Sequence, residues 1–82
     1  MTTAYVLINC ELGSEENVFS QLKSMSKIKE TRGVFGAYDI ITKIEASSVE
    51  MVKEIIATKI RGIDRIRSIL TLMGSEKEKQ SQ

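Results

Sequence analysis

Few side chains in this 82-residue chain are suited to chemistry, and the most suggestive of them gather around one glycine. The stretch Gly33-Val34-Phe35-Gly36-Ala37-Tyr38-Asp39-Ile40-Ile41 joins two apolar runs, and the second opens on Tyr-Asp. Glycine tolerates the positive φ of a tight reversal and lets another group approach the backbone closely. Asp39 adds one negative charge beside a turn whose N–H groups are exposed. Exposed amides attract a carboxylate and Asp39 attracts an ammonium, so together they suit the charged ends of a small zwitterion. The same residues also make a plain hairpin. In that reading Asp39 caps the turn through its own backbone and Tyr38 packs along a strand.

Other chemistry is scarce. The chain has no histidine, which excludes His-based acid–base catalysis, triads and His metal ligands. Its one cysteine, Cys10, lies in an apolar run, where a thiol is buried and inert rather than nucleophilic. No catalytic residue, metal ligand or cofactor site is expected. Twelve basic and eleven acidic residues give a formal charge of +1, which is not the field of a nucleic-acid binder. Arg61, Arg65 and Arg67 fall close together but without interleaved aromatics, as at a solvated helix end and strand edge. Val6-Leu7-Ile8 is far too short to span a bilayer, so no membrane partner is expected. A single cysteine and no secretory segment point to the cytoplasm.

The elements that must position these groups are legible from periodicity. Thr3 to Leu12 reads as a strand. Ser14 is placed to cap a helix running to about Ser26, with Val18, Phe19, Leu22 and Met25 on one face and Glu15 and Glu16 complementing its dipole. Ile28 to Phe35 and Tyr38 to Glu45 read as two further strands. Ser47 and Glu50 have the spacing of a capping box, and the helix that follows places Val49, Val52, Ile56 and Ile60 in register before Gly62. Arg65 to Met73 is a last strand. The remainder, 75–82, is charged and polar, and is expected to be a disordered tail on a domain spanning 1–74.

The order βαββαβ predicts an α+β, ferredoxin-like fold: a four-stranded antiparallel sheet with both helices on one face. Helices cover only one side of a sheet, yet the first strand is apolar on both. Ala4, Val6, Ile8 and Cys10 line one face, and Tyr5 and Leu7 line the other. Strict alternation places Ile66, Leu70 and Leu72 of the last strand on one side, with Ile69 and Met73 on the other. A single domain of this size has a small core, so a second copy of the chain is the natural cover for the open face.

V-F-G-A-Y-D-I-I resembles the V-x-G-x-Y-D-hydrophobic signature of the effector-binding (RAM) domain of the Lrp/AsnC family of regulators. Ile60-Arg61-Gly62-Ile63-Asp64-Arg65 resembles the I-x-G-V-x-R/S lead into that domain's last strand. Glu11 to Val18 resembles the glycine-then-acidic helix start after its first strand. The resemblance covers residues 3–73, and no helix-turn-helix precedes them, as in a stand-alone form. It implies a dimeric α+β barrel, with two sheets packed face to face and dimers joined into rings. It implies a small-molecule effector, an amino acid above all, held near the turn by Gly36, Ala37, Tyr38 and Asp39. In the last strand the family's Thr-x-Thr aligns with Ile66 and Ser68, so Ser68 retains a hydroxyl for the effector and Ile66 does not.

The function implied is an effector-binding and oligomerisation module, regulatory in transcription or amino-acid metabolism and not an enzyme. Its partners would be the effector, further copies of itself and, by mixed assembly, full-length Lrp/AsnC regulators, with no direct DNA binding. Two alternatives share the topology. One is a small dimeric α+β barrel enzyme, for which Cys10 is the only evident nucleophile. The other is an RNA-binding module, which needs strand aromatics in a basic setting; the third strand offers Tyr38 and then Ile40, Thr42 and Ile44.

Overall fold

The computed structural model of the protein describes residues 1–74; the tail expected over 75–82 lies outside the described residues. The order is β1 (Thr2–Cys10), α1 (Glu15–Lys23), β2 (Ile28–Gly33), β3 (Ile40–Ala46), α2 (Val49–Ile55) and β4 (Ile66–Met73). Helix α2 runs on into one π-helical turn, Ile56–Ile60, where the Arg61 N–H reaches the Ile56 carbonyl at 2.9 Å. The strands form one antiparallel sheet in the order β2-β3-β1-β4. This is the ferredoxin-like βαββαβ architecture that the periodicity predicts.

Alternation of side chains fixes which face meets the helices. In β1 the buried residues are Ala4, Val6, Ile8 and Cys10, and in β3 they are Ile40, Thr42, Ile44 and Ala46. Val18 and Leu22 of α1 and Val52, Ile55, Ile56 and Ile60 of α2 and its π turn close over them in one core. Each fully buried branched aliphatic contributes about 1.5–3 kcal/mol relative to exposure. Thr42 is the polar member of this face. Its hydroxyl donates to the Glu30 carbonyl at 2.9 Å and lies 2.9 Å from the Thr31 hydroxyl, so its burial leaves no unmade hydrogen bond.

Both helix starts differ in detail from the sequence expectation. The Ser14 hydroxyl accepts no N–H; it donates to the Glu11 carbonyl at 2.5 Å. The tight turn through Gly13, at φ +88°, sets both the Ser14 N–H and its hydroxyl on that carbonyl. At α2 the N-cap is Ser48, not Ser47. Ser48 is extended and its Oγ accepts from the Met51 N–H at 3.1 Å. That register makes Glu50 the second helical residue, so no capping box forms, although its charge still meets the helix N-terminus. Helix α1 also stops at Lys23, short of Ser26, because the Ser24 and Met25 N–H groups turn to the Gln21 and Leu22 carbonyls.

The last strand carries a larger correction. Ser68 pairs with Asn9, but the next partner of Cys10 is Ile66, so Arg67 is an extra residue in a β-bulge. The bulge turns Ile66 to the helix side, where it packs against the core with Ile69 and Met73. Ile66 therefore does not share a face with Leu70 and Leu72. Those two stand on the open face opposite Leu7 and Tyr5. Tyr5, Leu70 and Leu72 are 40%, 44% and 50% exposed, leaving an apolar row along the centre and one edge of the sheet. Toward the other edge the same face is ionic, with Arg32 paired to Glu30 at 2.7 Å and Lys43 to Glu45 at 3.6 Å.

Candidate functional site

The chain ends its ordered pairing at one corner of the sheet, and the loops meeting there enclose a cleft of about 440 Å³. Strand β1 supplies Asn9 and Cys10, the bulged start of β4 supplies Arg67 and Ser68, and the loop ahead of β3 supplies Asp39. Glu15, the first residue of α1, and Leu12 close the remaining side.

Asp39 is held by main-chain contacts. Beyond the Ile8–Ile40 pair the regular β1–β3 ladder ends. The Asp39 N–H still reaches the Ile8 carbonyl at 3.0 Å, and its carboxylate Oδ2 accepts from the Cys10 N–H at 3.0 Å. The side chain thus replaces a backbone acceptor that the sheet no longer supplies. Among the described residues no donor occupies Oδ1. Glu15 is fixed similarly: Oε1 accepts from the Gly13 N–H at 3.1 Å. Arg67, on the bulge, also lines the cleft and forms no ion pair among the described residues. Asn9 Nδ2 donates to the Ser68 hydroxyl at 3.4 Å on the open face.

The loop leading into β4 is pinned to the loop leaving β1. The Arg65 carbonyl accepts from the Glu11 N–H at 2.9 Å, and its guanidinium reaches Glu11 Oε1 at 3.6 Å. Arg65 adopts φ +75°, the left-handed region, which costs a non-glycine residue about 1–2 kcal/mol. The strain sits two residues before the bulge that presents Arg67, and the two contacts to Glu11 hold it there.

Cys10 is buried beneath this corner at 5% exposure. Burial raises its thiol pKa, and the negative charges of Asp39 and Glu15 raise it further. The thiol is therefore kept protonated, the reverse of what a nucleophile needs. Among the described residues no group of three His, Cys, Asp or Glu is placed to hold a metal ion.

Of the residues singled out from sequence, the fold brings Asp39 and Ser68 into the cleft and leaves Gly36, Ala37 and Tyr38 outside its lining. Those three belong to the hairpin tip closed by the Val34 N–H on the Asp39 carbonyl at 2.9 Å. Gly36 adopts φ +129° with open space where a Cβ would sit. Phe35 beside it is fully exposed, and Tyr38 is half-buried just ahead of β3 rather than on it. Ile66, facing the core, is absent from the cleft, so its lack of a hydroxyl does not bear on it. Asn9, Glu15 and Arg67 also line the cleft, and the sequence pattern had not placed them with Asp39 and Ser68. The signal for Arg67 was present in the arginine cluster, but only the bulge separates it from its neighbours. Arg61 lines a different groove beside the π turn, and Arg65 is spent on Glu11 and Asp64.

The model of the Lrp/AsnC ligand binding domain matches residues 3–82. The chain is similar to the crystal structure of FFRP-DM1 at 32% identity and TM-score 0.88, covering 92% of this chain and 100% of that one. It is similar in fold to Escherichia coli AsnC at 22% identity and TM-score 0.86, covering 92% of this chain and 51% of that one. A more distant fold neighbour is a transcriptional regulator of Neisseria meningitidis in complex with L-Met, at 5% identity and TM-score 0.81, covering 93% of this chain and 51% of that one. The chain thus spans about half the length of these two proteins. No curated protein matches it.

Proposed function

The chain belongs to the Lrp/AsnC ligand-binding domain family, and from that premise we propose that it is a regulatory effector-binding module that takes a free amino acid in the cleft between β1, β4 and Asp39. One observation carries the reading: the same open cleft is lined by Arg67, which forms no ion pair among the described residues, and by Asp39 and Glu15, each with one carboxylate oxygen outside the hydrogen bonds that anchor it. A zwitterion satisfies both signs at once. Its carboxylate meets Arg67 as a charge-assisted pair, and its ammonium meets Asp39 Oδ1. The Ser68 hydroxyl and the Asn9 amide add neutral partners. That a regulator sharing this fold is described as an L-Met complex makes amino acids the first ligands to screen.

The module acts as an oligomer in this reading. Tyr5, Leu7, Leu70 and Leu72 form an apolar centre beside an ionic rim, the anatomy of a protein–protein interface. A second copy laid face to face covers it and completes a dimeric α+β barrel. The hairpin tip from Phe35 to Tyr38 projects away from the core, free to meet a neighbouring dimer in a ring. Mixed assembly with longer regulators of the family would carry the effector signal onward. The protonated, buried Cys10 thiol favours a binding role over catalysis. No described helix is long and apolar enough to cross a membrane.

Titration calorimetry with the twenty amino acids tests the effector, and light scattering at micromolar concentration tests the assembly. Binding of one or more amino acids to an oligomer is expected. Absence of any binding at millimolar ligand overturns the effector reading, and a stable monomer overturns the assembly.

A further inference from the structure

The charges of the cleft do not balance for an ordinary zwitterion. Arg67 brings one positive charge, and Asp39 and Glu15 bring one negative charge each. A neutral amino acid pairs its carboxylate with Arg67 and its ammonium with one acidic side chain. The other acidic side chain is then left with no cationic side chain paired to it among the described residues. Resting on the amino-acid reading above, we infer that the cleft is selective for an amino acid with a cationic side chain, lysine or arginine in chemical type, and that Glu15 reads that second charge.

Geometry supports the division of roles. Asp39 lies on the sheet side, anchored to the end of β1, with Oδ1 open. Glu15 lies across on the helix side, anchored through Oε1 to Gly13, with Oε2 open. Both are half-buried, and both line the same cleft. Arg67 pairs with neither carboxylate among the described residues. Arg65 is engaged at Glu11 and Asp64, and the Lys23 ammonium lies over the Phe19 ring at 5.6 Å, at the far end of α1. Leu12 gives the cleft an apolar side along which a methylene stem can lie. A long aliphatic side chain ending in a cation fits each of these groups, and an acidic one meets repulsion at Glu15.

Calorimetry on the wild-type protein with L-lysine, L-arginine, L-leucine, L-methionine and L-glutamate decides the matter. Lysine or arginine should bind at least about ten-fold tighter than leucine or methionine, the gain of one charged hydrogen bond. Glutamate should bind weakest. Glu15→Gln keeps an oxygen for the Gly13 N–H and removes the charge, so it should bring the lysine and leucine affinities together. Its melting temperature checks that the fold survives. If leucine or methionine binds the wild type as tightly as lysine, or if Glu15→Gln leaves the lysine preference intact, the inference fails while the amino-acid site stands. If no amino acid binds, the site reading fails with it.

Discussion

The Asp39 carboxylate oxygen Oδ2 sits 3.0 Å from the Cys10 backbone nitrogen, joining the start of β3 to the end of β1 across 29 residues of chain. The hydrogen bond gives Asp39 a structural duty alongside any contact with a ligand. Only the second oxygen is free for the cleft.

That division predicts different outcomes for two substitutions. Asp39→Ala leaves the part-buried Cys10 N–H without its partner, which should cost about 1–3 kcal/mol of stability. Asp39→Asn retains an oxygen acceptor and removes the charge, so stability should fall less than in Asp39→Ala while amino-acid affinity falls about ten-fold or more. Urea denaturation and calorimetry on both variants separate the roles. Equal stability loss in the two would show that charge, not the acceptor, holds the corner.

Cys10 predicts a pH dependence. Its thiol pKa is raised in the fold, first by burial and then by Asp39 and Glu15. Folding therefore favours the protonated thiol. Its contribution to stability is full below the ordinary thiol pKa of about 8.5 and is lost as pH rises through the higher folded value. Iodoacetamide at pH 7.5 should label the native protein far more slowly than the urea-unfolded chain. Cys10→Ala should lose less stability than wild type between pH 8 and pH 10. Rapid native labelling would contradict the burial of Cys10.

Adjacent residues of β1 predict unlike failures. Ile8 is fully buried beneath the helices, whereas Leu7 stands on the open face opposite Leu70. Ile8→Asp should abolish folding, since an unpaired buried carboxylate costs several kcal/mol against a total stability of about 5–15 kcal/mol. Leu7→Asp should keep the helical circular dichroism and lose the oligomer. A Leu7→Asp protein that stays oligomeric would remove the sheet face from the assembly.

Ser48 and Ser47 test the cap. Ser48→Ala removes the acceptor of the Met51 N–H and should cost about 0.5–2 kcal/mol, and Ser47→Ala should change little. Thermal melts of the two proteins give the comparison, and equal losses would place the cap at neither residue.

Much of the architecture was legible along the chain. The order of elements, the buried face of β1 and the positive φ at Gly36 follow from local preferences, because period-2 alternation and glycine's missing Cβ act over a few residues. The cap of α2 slipped by one residue because Ser47 and Ser48 are chemically alike, and only the path of the chain out of β3 chooses between them. Ile66 was assigned to the wrong face because alternation assumes an unbroken ladder.

By itself the sequence determined the fold class and the family, and it singled out Asp39 and Ser68, which the fold places in the lining of the cleft. The tertiary structure alone decided that Gly36, Ala37 and Tyr38 stay outside the cleft and that Asn9, Glu15 and Arg67 enter it. The physical reason is the bulge at Arg67 and the broken ladder at Asp39. Both arise where strands distant in sequence stop matching in register, and no local pattern records how two such strands will meet.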